Sequence, residues 1–87
     1  MILVTGATGL VGSHLLCTLL EKGENLRALY KDDARIELWK QVAQYYPGAE
    51  ANISKLEWIK GDLLDLSSLE IACDGVQQIY HAAAYIS

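Results

Sequence analysis

Four apolar residues, Met1-Ile2-Leu3-Val4, run straight into Thr5-Gly6-Ala7-Thr8-Gly9-Leu10-Val11-Gly12, and a leucine-rich stretch follows at once. Ile2 to Thr5 reads as a short buried strand. Leu10 to Lys22 carries apolar residues at 11, 15, 16, 19 and 20, the spacing of a helix that buries one face. Only a few residues separate strand from helix, so the turn between them must be tight. A tight strand-to-helix turn commits the chain to a β-α unit, and the rest of the sequence repeats that unit.

Gly23 is placed to stop the first helix. Asn25 to Lys31, with Leu26-Arg27-Ala28-Leu29-Tyr30 at its centre, reads as the second strand. Asp32 or Asp33 can cap a second helix reaching to about Tyr46, with Ile36, Trp39, Val42, Ala43 and Tyr46 on one face and Pro47-Gly48 as its stop. Ala49 to Lys55 reads as a polar connector and Leu56 to Lys60 as the third strand. Ser67-Ser68-Leu69-Glu70 has the form of a capping box for a third helix closed by Gly75. Val76 to His81 reads as the fourth strand. Strands alternating with helices imply right-handed crossovers and a parallel sheet. The expected fold is therefore α/β: half of a doubly wound fold, parallel strands in the order 3-2-1-4, helices on both faces.

At 87 residues the chain makes one domain at most, and a chain of this size buries only roughly 60–65% of its unfolded surface. The net charge of −4, without any basic run, argues against nucleic acid as a partner. No apolar run approaches the about 18 residues of a membrane span. Cys17 and Cys73 fall in expected helices without C-x-x-C spacing and read as reduced core residues. With no basic, apolar leader at the start, the expected location is the cytoplasm. His14 and His81 are the only histidines, and neither has neighbours at metal-ligand spacing, so no metal site is expected.

The glycines of the first turn have separate uses. Gly6 permits the backbone angles of a sharp turn. Gly9, lacking a side chain, lets a bulky anion approach the backbone, and Gly12 lets the first helix pack closely on the first strand. The helix N-terminus adds free N–H groups and the positive end of its dipole. Together these describe a pyrophosphate cradle. The spacing is G-x-x-G-x-x-G, and no Lys-Ser/Thr follows, so it is not a nucleoside-triphosphate P-loop.

Val4 to His14 resembles the T-G-x-x-G-x-x-G signature of extended short-chain dehydrogenases/reductases, the NAD(P)-dependent epimerase/dehydratase family. Leu26 to Lys31, Gly61-Asp62-Leu63 and Tyr80-His81-Ala82-Ala83-Ala84 are similar, in the same order, to three further segments of that family. Its dihydroflavonol-reductase-like and sugar-nucleotide epimerase-like members are the most alike. The resemblance implies that Gly6, Gly9, Leu10, Val11 and Gly12 surround the pyrophosphate, with Thr8 in the same cofactor-binding set. It implies that Asp62 accepts a hydrogen bond from the adenine amino group beside the Leu63 backbone. Ala82, Ala83 and Ala84 would pass under the adenosine-side ribose.

The end of the second strand bears on the cofactor. Sites that prefer NAD place an acid there for the ribose hydroxyls. Here Tyr30 and Lys31 stand in that place, and Arg35 follows four residues on. A lysine attracts a 2′-phosphate that an acid would repel, so NADP is favoured over NAD, although Asp32 and Asp33 lie between the two cations. The family's acid/base pair, Tyr-x-x-x-Lys, is missing: Ala34, Ala49, Glu50 and Ala84 stand four residues after Tyr30, Tyr45, Tyr46 and Tyr80. The chain is thus expected to be the N-terminal, cofactor-binding portion of an oxidoreductase or epimerase/dehydratase, without catalytic residues or a substrate domain. The alternative is a non-catalytic NADP-binding sensor or regulatory module. An uncovered fourth-strand edge is expected to drive self-association.

Overall fold

The computed structural model describes residues 1–62 and 64–81. Four strands, β1 (Ile2–Thr5), β2 (Leu26–Tyr30), β3 (Leu56–Lys60) and β4 (Gln78–His81), form one sheet in the order β3-β2-β1-β4. Every pairing is parallel. Helices α1 (Leu10–Glu21), α2 (Asp33–Ala43), α3 (Pro47–Ala51) and α4 (Leu66–Ala72) connect them, with a 3₁₀ turn at Ile53–Lys55. The expected strand order and parallel sense are both present.

Strand alternation sorts the core into two layers. Ile2, Val4, Leu26 and Ala28 face α1, α2 and α3, packing with Leu16, Cys17, Leu20, Trp39, Ala43 and Ala49. Leu3 and Leu29, pointing the other way, pack with Ala72 of α4 and are flanked by Ile59, Leu69 and Val76. Helices therefore cover both faces, as a parallel sheet requires. Arg27 also points to the α4 side. Its guanidinium donates to the Ala72 and Asp74 carbonyls at 2.8 and 2.7 Å and to Glu57 at 3.0 Å, placing a cation on the last turn of α4.

Three local expectations are corrected. Pro47-Gly48 does not end α2, which stops at Ala43. Pro47 instead sits in the first turn of α3, where its fixed φ suits a helix start and its missing N–H costs nothing. The expected polar connector is thus mostly helical, and Tyr46, placed by periodicity on α2, precedes α3 and packs beside the core. This segment closes the far end of α1: the Asn52 side-chain amide donates to the Leu20 carbonyl at 2.8 Å and Lys55 to the Gly23 carbonyl at 3.0 Å.

The cap of α4 is Asp65, not the Ser67–Glu70 box. Its Oδ1 accepts the Ser67 N–H at 3.1 Å and its Oδ2 accepts the Ser68 hydroxyl at 3.2 Å. Aspartate and serine cap about equally well, and here the helix starts from the aspartate two residues earlier. Third, Cys73 is exposed at the C-cap of α4 rather than buried, whereas Cys17 is fully buried in α1.

Candidate functional site

The carboxyl ends of β1, β2 and β3 open on one side of the sheet, and the turns that leave them line a continuous depression. Gly6 begins the first turn with φ +68°, a left-handed angle that a side chain would resist. Its carbonyl accepts the Gly9 N–H at 3.1 Å, folding the turn back on itself. α1 starts at once, and the first bond of its ladder runs from the Ser13 N–H to the Gly9 carbonyl at 2.9 Å.

The structure sharpens the roles of Gly9 and Gly12. A Cβ on Gly12 would lie 1.9 Å from the Gly6 carbonyl oxygen and 2.7 Å from its carbon. Gly12 is therefore needed inside the protein, where α1 presses on the turn rather than on the strand itself. A Cβ on Gly9 would meet only the Gly6 oxygen, at 3.4 Å, an ordinary contact. The protein itself has room for a side chain at Gly9.

The N-terminus of α1 differs from those of its neighbours. α2 is capped by Asp32, whose carboxylate accepts the Ala34 N–H at 3.0 Å, and Asp33 adds an acid to its first turn; α4 is capped by Asp65. α1 has no side-chain cap and no acid in its first turn. Among the described residues nothing accepts the N–H groups of Val11 and Gly12. Two donors at the positive end of a twelve-residue helix thus stand beside the depression, an arrangement that suits an anion.

Two cavities extend from this turn. One, of about 190 Å³, is lined by Gly6, Thr8, Leu29, Tyr30, Lys31, Gly61 and Asp62. The other, of about 710 Å³, is lined by Thr8, Gly9, Lys31, Asp32, Asp33, Arg35 and Lys60. They share Thr8 and Lys31, so the depression runs from the glycine turn past the end of β2 to the start of α2. Tyr30 stands edge-on to Trp58, ring centroids 5.9 Å apart, which fixes it as a wall of the smaller cavity.

Asp62 is held in place. Its Oδ1 accepts the Leu64 N–H at 3.0 Å and its Oδ2 lies 3.3 Å from the Lys31 ammonium. The Leu64 N–H first, and Lys31 second, keep its carboxyl below the usual carboxylate range. The family resemblance placed Asp62 in the site and the end of the second strand placed Lys31 there; that the two pair emerges only when β2 and β3 lie side by side.

Of the sequence-assigned positions, Gly6, Thr8, Gly9, Tyr30, Lys31, Arg35 and Asp62 line these cavities, and Val11 and Gly12 supply the helix end beside them. Leu10 opens α1. Leu63, Ala82, Ala83 and Ala84 lie outside the described residues. Three lining residues were given no binding role by the sequence. Leu29 and Gly61 complete the smaller cavity, and a Cβ on Gly61 would come within 2.9 Å of Ser68. Lys60 joins the larger one. Strand alternation contained that signal: Leu56 and Trp58 pack with the α2 layer, so Lys60 shares their face.

The two histidines make structural contacts. His14 Nδ1 is hydrogen-bonded to the Tyr46 hydroxyl at 2.7 Å. His81 Nδ1 meets the hydroxyl of buried Thr5, its register partner across β1 and β4. Among the described residues no group of three or more His, Cys, Asp or Glu side chains gathers as a metal site, and no helix is long and apolar enough to cross a membrane.

The sequence and the fold are similar to those of known proteins. Residues 2–87 match the model of the NAD dependent epimerase/dehydratase family. The chain is 35% identical to sterol demethylase protein B of Methylococcus capsulatus over 98% of its own length and 22% of that protein's. It is 38% identical to dihydroflavonol 4-reductase of Hordeum vulgare, over 94% of this chain and 22% of the relative. The fold superposes on vestitone reductase from alfalfa with a TM-score of 0.69 at 30% identity, covering 92% of this chain and 24% of that one. It also superposes on a UDP-glucuronic acid 4-epimerase from Bacillus cereus, solved with NAD, with a TM-score of 0.61 at 25% identity, covering 93% and 25%. The chain thus spans about a quarter or less of the proteins it matches. It belongs to the NAD dependent epimerase/dehydratase family, and its cofactor class is a nicotinamide dinucleotide.

Proposed function

We propose that this chain holds the adenosine-diphosphate half of NADP and serves as the dinucleotide-binding portion of a reductase or epimerase/dehydratase. When bound, the cofactor supplies hydride transfer at its nicotinamide ring. The chain's own residues bind and orient it. The Val11 and Gly12 N–H groups meet the pyrophosphate at the open end of α1, and Gly9 leaves room for it. Asp62, ionised and steadied by Leu64, accepts from the adenine amino group, and Tyr30 walls the slot. Leu63 and Ala82 to Ala84 complete the contacts on the adenosine side.

One observation carries the choice of NADP: the cavity at the end of β2 is lined by Lys31 and Arg35, with no acid at the strand end itself. Two acids also line that cavity. Asp32 caps α2 and Asp33 pairs with Lys60. Calorimetric titration of the chain with each dinucleotide tests the reading. NADP is expected to bind at least about fivefold more tightly than NAD, the effect of one added charge-assisted contact. Equal or tighter NAD binding would overturn it.

The proposal extends to self-association. Among the described residues β4 lies at the sheet edge, and Ile79 and Tyr80 on it are exposed. An uncovered strand edge is a template for a second copy. Light scattering at high concentration should show a species larger than the 9.6 kDa monomer, and a monomer throughout would refute it.

A further inference from the structure

Lys60 ends β3 directly opposite Tyr30, the residue before Lys31. Because Leu56 and Trp58 face α2, Lys60 projects over the start of that helix. Its ammonium lies 3.5 Å from Asp33, the first residue of α2. The larger cavity therefore has three cations on its wall, contributed by β3 (Lys60), the end of β2 (Lys31) and α2 (Arg35). Lys31 is drawn toward Asp62 at the far rim, and Arg35 has no ion-pair partner among the described residues.

We propose that Lys60 is a specificity-determining residue for a phosphate monoester in this cavity, and that Asp33 holds it in reserve until the phosphate arrives. The proposal rests on the NADP reading, in which that monoester is the 2′-phosphate. The Lys60–Asp33 pair is exposed at both ends, with side-chain exposures of 60% and 74%. Such a pair is weakly held and screened by solvent. A phosphate carries nearly two charges and three acceptor oxygens, so it outcompetes a single carboxylate for the ammonium. Asp33 opposes phosphate binding twice, by occupying Lys60 and by its own charge. An unphosphorylated ribose gains nothing from Lys60 and leaves the pair closed. Asp32 takes no part, since its carboxylate is turned to the Ala34 N–H.

The test titrates the chain with adenosine 2′,5′-bisphosphate and with 5′-AMP, which differ only in the 2′-phosphate. Lys60→Gln should cut the preference for the bisphosphate about tenfold, the loss of one charge-assisted contact. Asp33→Asn should raise that preference about threefold or more, and Lys60→Arg should retain most of it. Circular dichroism melts accompany each variant, and Asp33→Asn gives a reading even if Lys60→Gln is unstable. A wild-type chain that does not prefer the bisphosphate refutes the NADP reading itself. A wild-type chain that prefers it, with the preference unmoved in Lys60→Gln and Asp33→Asn, refutes the role of Lys60 alone.

Discussion

Gly12→Ala is the sharpest probe of how the glycine turn is built. The added methyl would sit 1.9 Å from the Gly6 carbonyl oxygen, 2.7 Å from its carbon and 3.1 Å from the Ala7 Cα. A carbon–oxygen contact settles near about 3.3 Å, so the gap must open by roughly 1.4 Å. Every atom in the way is backbone, and Gly6 is pinned by its positive φ and by the Gly9 N–H. Neither side can yield by a rotamer change, so the cost falls at the upper end of overpacking, about 3 kcal/mol. Alanine recovers about 1 kcal/mol as the better helix former. The net loss is about 2 kcal/mol, a fall in Tm of roughly 8–16 °C for a domain of this size.

Gly9→Ala is its counterpart. The backbone there is extended, φ −78° and ψ 177°, and the methyl meets only an ordinary 3.4 Å contact. Stability should change by less than about 0.5 kcal/mol, because a poorer cap and a stiffer unfolded chain offset each other. Dinucleotide affinity should nevertheless drop at least about tenfold, because the methyl occupies the anion's approach. Urea unfolding followed by tryptophan fluorescence, with a parallel binding titration, separates the two effects. An unchanged midpoint for Gly12→Ala, or an equal loss of stability in both variants, would refute this division of roles.

Other consequences follow from the same contacts. Arg27→Met removes three charge-assisted bonds between β2, Glu57 and the end of α4, and should lower stability by about 2 kcal/mol in urea unfolding. Burial, then the nearby Glu21 charge, pushes the Cys17 thiol up to about 11, while Cys73 is exposed; a thiol reagent at pH 8 should label one cysteine rapidly, and peptide mapping should find it at 73. Asp62, its pKa lowered first by the Leu64 N–H and then by Lys31, favours the folded state above the unfolded carboxyl's range, and that contribution fades as pH falls through its lowered folded value. Carboxyl NMR should therefore show Asp62 titrating below the usual carboxylate range in the wild type and at a higher pH in Lys31→Gln.

Much of the fold was legible because it depends on period and punctuation. β3 appears with the bounds its apolar run suggested, and Gly23 and Gly75 take the positive φ expected of helix stops. The misreadings came from ambiguous punctuation. Pro47 both ends and begins helices, and only the space beside α1 decides between them: a Cβ on Gly48 would lie 2.9 Å from the Glu21 side chain, so glycine there brings α3 close against α1. Asp65 and Ser67 compete as caps, and local sequence does not rank them. For the site, the glycine turn was readable because its chemistry is contiguous. The Lys31–Asp62 and Lys60–Asp33 pairs were not, since each joins residues 27 or more apart that meet only through sheet order. Cys73 was misplaced because it falls at the C-cap, just past the seven-residue helix, while Ala72 before it takes the buried position.

The central claim is that the glycine turn, the end of β2 and the end of β3 form a single cradle for NADP. An amide ¹H–¹⁵N map of the chain titrated with NADP tests it most directly. The account predicts that the signals of Gly6, Gly9, Val11, Gly12, Lys31 and Asp62 move together along one saturating curve, while those of α3 stay still. No shift at millimolar NADP, or shifts centred on α3 and the outer face of α2, would contradict it.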